Sequence, residues 1–159
     1  MVLWYLAPSI VAVHEIFRSR GLDYRLIALG ALLPLLVDAP LGYYAYGHSM
    51  LVAVGLLAVV MIATINRSRL LRRRLICVPI GWMCGLVLSG AFLHDVSFLW
   101  PLLGSDFPDD SLVPPVTVIV LLDAAGLGIA VWAWGRFGLA DRAARDDFLR
   151  TGRLRERVA

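Results

Sequence analysis

Four side chains in this sequence have the types and the placement to do metal or acid–base chemistry together: Asp38, His48, His94 and Asp95. Carboxylate oxygens and imidazole nitrogens hold a divalent metal such as zinc and let it activate water, provided one coordination position stays open. In that arrangement Asp38 and His48 are the metal ligands, and His94 or Asp95 is a third ligand or the catalytic base. The structural alternative is that the histidines are interfacial residues at the ends of apolar segments. Three more ionisable residues, His14, Glu15 and Asp123, lie inside apolar runs, where an unpaired charge is costly. Glu15 stands one turn before Arg18 and can pair with it, anchoring that end. Asp123 has no basic residue at its depth, so it is protonated, hydrogen-bonded or turned towards a polar cavity.

The elements that must position these residues are membrane spans. The 159 residues are 60% hydrophobic and 17% charged, with a mean hydropathy of +0.78. Soluble domains are about half apolar and about a quarter charged, so lipid is the expected solvent for most of the chain. Apolar runs approaching the roughly 20 residues needed to cross a bilayer occupy 2–17, 26–42, 49–65, 75–94 and 115–135. The expected fold is therefore all-α, an integral membrane bundle of about five transmembrane helices over 1–135, followed by a basic tail, 136–159. The second run is the odd one: its apolar core from Leu26 to Val37 covers only about 18 Å as a helix and contains Pro34. Asp38 then lies at or below headgroup level, where a carboxylate needs a partner.

Direction follows from the 15 basic residues, all of them arginine. They fall after the first run, after the third and in the tail. The stretches 38–49 and 95–114 contain none. Positive residues stay on the cytoplasmic side, which puts the N-terminus outside and the tail in the cytoplasm of a multi-pass plasma (inner) membrane protein. Trp4, Tyr5, Tyr43, Tyr44, Tyr46, Phe98 and Trp100 then collect at the outer interface, with Trp132 and Trp134 at the inner one. The net charge of +3 could suggest nucleic acid, but the arginines sit between apolar runs rather than over a wet surface, so nucleic acid is not expected as a partner. The first 17 residues lack the basic start and cleavage motif of a signal peptide and read as retained. Cys77 and Cys84 are seven apart on one helix, about 10 Å, too far for a disulfide.

Gly81, Gly85 and Ser89 recur every four residues, a small-residue face for close helix packing. In the tail Phe137, Ala140, Ala144 and Phe148 share a face, which predicts a short amphipathic helix ending near Gly152. Its partners are anionic lipid headgroups or another membrane protein. A nucleophile elbow, a phosphate-cradling glycine loop, a C-x-x-C pair and an H-E-x-x-H helix do not occur.

The segments GALLPLLVDAP, GHS and GLVLSGAFLHDVSFLWPLLG give the stretch from about Arg25 to Gly104 a resemblance to the small bacterial and archaeal proteins labelled membrane-bound metal-dependent hydrolases. Gly30, Pro34, Asp38, His48, Gly90, Trp100, Pro101 and Gly104 match that family's pattern. Leu35 replaces an acidic position, and Gly85 and Ser89 stand where the family has a histidine and an aspartate. The resemblance implies a membrane helical fold and, in intact members, a metal-dependent hydrolase. With two ligands replaced, the expectation is a degenerate member acting as a scaffold, partner subunit, homo-oligomer or lipid-binding protein. The alternative is a hydrolase of a lipid-linked ester or phosphoester at the outer leaflet.

Overall fold

The computed structural model of the chain describes residues 1–19, 21–107 and 111–154. The fold is all-helical: α1 (Val2–Phe17), α2 (Tyr24–Asp38), α3 (Met50–Ala63), α4 (Arg69–Leu88), the single turn α5 (Asp95–Phe98), α6 (Val116–Arg136) and α7 (Arg142–Thr151). Short 3-10 turns at Tyr46–His48 and Ala91–Leu93 lead into α3 and α5.

At the centre α2 and α4 run parallel and in close contact. A Cβ added at Gly81 would fall on the Ile27 carbonyl, one at Gly30 on that of Val78, and one at Gly85 on that of Ala31. Glycine is needed here so that the two backbones can approach this closely. Ser89, expected on the same face, instead closes α4: its amide donates to the Gly85 carbonyl and its hydroxyl to that of Leu86.

The outer helices flank this pair. Helix α1 runs antiparallel to α4, with the Trp4 indole N–H donating to the Leu88 carbonyl at 2.9 Å. It runs parallel to α6, since the backbone at Leu3 lies against Gly126 while His14 meets Phe137. On the other side α3 packs through Ala53 against Trp82 and Leu86. One end of the bundle therefore gathers the close of α1 and α6 and the start of α2 and α4. All the described arginines lie on the connections and helix ends there, or on α7.

Helices α2, α3 and α4 end before their apolar runs do. The second run was expected to reach 42, but α2 stops at Asp38, whose carbonyl accepts the amides of Leu41 and Gly42 in a turn. The fourth was expected to reach 94, but α4 stops at Leu88, ahead of Gly90 with φ +71°. Among the described residues, α6 alone is both long and apolar enough to cross a membrane; α1 and α3 are apolar but only 16 and 14 residues long. Helix α4 has the length, but its first turns carry Arg69, Arg72, Arg73 and Arg74.

A tail helix forms as α7, capped by the Asp141 carboxylate and closed by Gly152 at φ +70°; of the expected apolar face it holds Ala144 and Phe148, while Phe137 closes α6 and Ala140 lies in the turn between. Its apolar face turns back onto the bundle. Phe148 and Leu154 pack into the cluster of Val13, Tyr24, Ile27, Cys77, Ala133 and Phe137.

Candidate functional site

Asp38 is the last residue of α2, and the chain that follows folds back over it. Its Oδ1 accepts the Gly47 amide at 2.7 Å, and its Oδ2 accepts the Ala45 amide at 2.8 Å and faces Nδ1 of His48 at 2.7 Å. Both side chains are fully buried. Charge-assisted bonds to two amides and an imidazole supply the partners a buried carboxylate needs. The contact fixes Nδ1 as the nitrogen facing the carboxylate, and Nε2 of His48 is buried with no hydrogen-bond partner among the described residues.

Neighbouring residues peg the same loop. The Trp82 indole donates to the Gly47 carbonyl at 2.9 Å, the Ser97 hydroxyl to the Tyr44 carbonyl at 2.8 Å, and the Ser49 hydroxyl to the Trp100 carbonyl at 2.8 Å. Gly47 is pressed so closely on Asp38 and on the Pro34 carbonyl that a Cβ there would lie 2.6 Å from that oxygen. The GHS step thus has a local explanation in each position: the glycine lets its amide reach the carboxylate, the histidine pairs with it, and the serine ties the loop to the segment before Pro101.

Of the four residues expected to converge, Asp38 and His48 meet directly. Between His48 and His94 lies Tyr44, whose ring is edge-on to His48 at 4.7 Å between centroids and stacks on His94 at 4.2 Å. Asp95 is the exposed first residue of α5, and its carbonyl accepts the Leu99 amide. Among the described residues no three His, Cys, Asp or Glu side chains are grouped to hold a metal ion. Trp82 and Ser97 carry no signal in the sequence, and Tyr44 reads there only as an interfacial aromatic. The position of Gly47 next to His48 was the one available signal.

The other polar residues are also accounted for. Asp123 lies beside the start of α1, where its Oδ1 accepts the amides of Leu3 and Trp4 at 3.0 and 3.4 Å and its Oδ2 pairs with the Met1 amino group at 2.7 Å. Of the three options for this residue, hydrogen bonding is realised, to the exposed amides and positive dipole end of a neighbouring helix. Glu15 pairs with Arg136 at 3.3 Å and with Arg18 at 3.9 Å. His14 is buried edge-on to Phe137 at 4.6 Å, and its Nδ1 has no hydrogen-bond partner among the described residues.

A second polar cluster sits at the arginine-rich end. Asp23 caps α2, its side chain almost wholly buried, and receives Arg25 at 3.0 Å and Arg74 at 3.3 Å. Burial works against its charge, but hydrogen bonds from Arg25 and then Arg74 prevail and hold the carboxyl below its ordinary value. The chain after α7 closes over it: the Tyr24 amide donates to the Gly152 carbonyl at 2.9 Å, and the Arg25 guanidinium donates to the Leu149 carbonyl at 2.6 Å.

Comparison with protein-family models, with curated proteins and with solved structures finds no match for this chain.

Proposed function

We propose that this chain is a non-catalytic, multi-pass protein of the bacterial plasma membrane, a five-helix bundle that acts as a lipid-holding scaffold and is a degenerate relative of the membrane-bound metal-dependent hydrolases it resembles. One observation carries the non-catalytic reading. Asp38 spends both oxygens on three donors of its own loop, and the ring between His48 and His94 is Tyr44 rather than an open coordination position. Among the described residues, the Asp38 and His48 pair leaves one buried imidazole nitrogen unengaged, and no group of three ligands such as a catalytic zinc needs is assembled around it. The residues shared with the family do structural work. Gly30 lets α2 meet α4, and Asp38, His48 and Trp100 knit the loop that joins α2 to α3.

The five-span reading is supported by the unsatisfied surface. Of α3 only Ala53 is buried, and Val116, Val120, Leu121, Leu127 and Val131 of α6 face outward. In water such contiguous apolar faces would drive aggregation, whereas lipid is their natural solvent. The short helices suit a bundle whose turns at Gly42–His48 and Gly90–Gly104 fill the remaining depth, with their polar backbone buried inside the protein. On this reading the arginine-rich end faces the cytoplasm.

A second reading keeps the hydrolase, and the buried, partnerless Nε2 of His48 behind a carboxylate is the observation that favours it. The test is release of product from a dye-labelled ester and a phosphoester lipid by protein reconstituted in vesicles with zinc or magnesium. No release above that of empty vesicles is expected. Turnover that His48→Ala and His94→Ala each abolish would establish the hydrolase instead.

A further inference from the structure

At the arginine-rich end, between the start of α2, the start of α4 and the close of α7, lies an open cavity of about 330 Å3. Its wall includes Asp23, Arg74, Arg150, Thr151 and Arg153. Three arginines, Arg74, Arg150 and Arg153, share this wall with the one carboxylate of Asp23. That carboxylate is fully engaged by Arg25 and Arg74. Among the described residues, the side chains of Arg150 and Arg153 make no ion pair. The cavity therefore presents a surplus of positive charge, backed by the N-terminal dipole of the 15-residue α2.

We propose that this cavity binds the phosphate of an anionic lipid headgroup, with Arg150 and Arg153 as its principal contacts and Arg74 shared with Asp23. Guanidinium forks suit phosphate oxygens, which accept two parallel hydrogen bonds from each. The volume matches a small-ligand site and has room for the headgroup glycerol beside the phosphate. A location where α7 meets the ends of α2 and α4 places the phosphate at the depth of the cytoplasmic leaflet's headgroups, where basic pockets collect acidic lipid. Bound lipid would fasten α7 to the bundle, since Arg150 and Arg153 bracket the last turn of that helix.

The inference rests on this end facing the cytoplasmic leaflet, and cysteine labelling of the two ends reports that orientation without reference to lipid. The test is thermal unfolding of the full chain in neutral detergent with dioctanoyl phosphatidylglycerol, dioctanoyl phosphatidylcholine or inorganic phosphate. At tenfold excess over Kd, phosphatidylglycerol should raise the Tm by about 4 °C and phosphatidylcholine should not. Arg150→Gln with Arg153→Gln should remove most of that rise, while Arg142→Gln with Arg145→Gln, on the same helix but outside the cavity, should keep it. If the first double variant does not fold, Arg153→Gln alone takes its place. Equal shifts from both lipids, or a full shift in the Arg153 variant, would overturn the proposal. A shift from inorganic phosphate matching that from phosphatidylglycerol would make the source a soluble phosphoryl group and overturn the lipid assignment.

Discussion

Asp38 and Asp23 are both buried carboxylates at an end of α2, and each is satisfied by a different chemistry. Asp38 uses backbone amides and a histidine, so its partners come with the fold of its own loop. Asp23 uses two arginines, and its ionised form is therefore tied to the charge at that end. Because the folded protein holds Asp23 below its ordinary value of 3.8, its contribution is complete above that value and fades as pH falls through the lower, folded one. Asp23→Asn should thus lower the Tm at pH 7 and lose that difference in strong acid. The cost at pH 7 is about 2 kcal/mol, less than for a wholly buried pair because Arg25 and Arg74 remain partly hydrated. Thermal unfolding of parent and variant across pH 7 to 3 measures it, and an equal difference at every pH would contradict it.

At the scale of elements, the contact between α2 and α4 bears most of the architecture and has the least tolerance. Gly81→Val would drive two methyl groups at the Ile27 carbonyl, and backbone cannot yield as a flexible side chain can. Size-exclusion chromatography should show that variant aggregated or unextractable. Gly55→Val on α3, where an added Cβ meets nothing, should run as the parent does. The Gly81 and Gly85 spacing made this contact legible in the sequence, because small residues at helical intervals have few other uses in an apolar segment. The amphipathic tail and its Gly152 stop were legible for similar reasons. The turns were not. Apolarity continues through Leu41 and through Ala91–Leu93, so hydropathy ran each helix on past its end. Only the local backbone, with positive φ at Gly42 and Gly90, shows where the chain turns. The loop over Asp38 was hidden for a further reason: its strongest bonds are to amides, which every residue type carries.

For the whole molecule, charge separation between the two ends is the feature on which orientation depends. The described arginines collect at one end, while the Asp38 loop and the Trp100 segment form the other. In intact cells a membrane-impermeant thiol probe should label a cysteine placed at Ser105 and spare one placed at Ser68, in a background lacking Cys77 and Cys84. Labelling of Ser68 alone would invert the bundle and move the arginine cavity to the outer face.

Whether Asp38 and His48 hold a loop, as proposed, or a metal is decided by elemental mass spectrometry of the detergent-purified chain. Parent, Asp38→Ala and His48→Ala proteins are prepared alike in medium supplied with zinc, and each is checked for folding by its Tm. No stoichiometric metal is expected in any of the three, and a lower Tm in both variants, since each leaves the other partner buried and unpaired. About one metal ion per chain in the parent, lost from both variants, would contradict it.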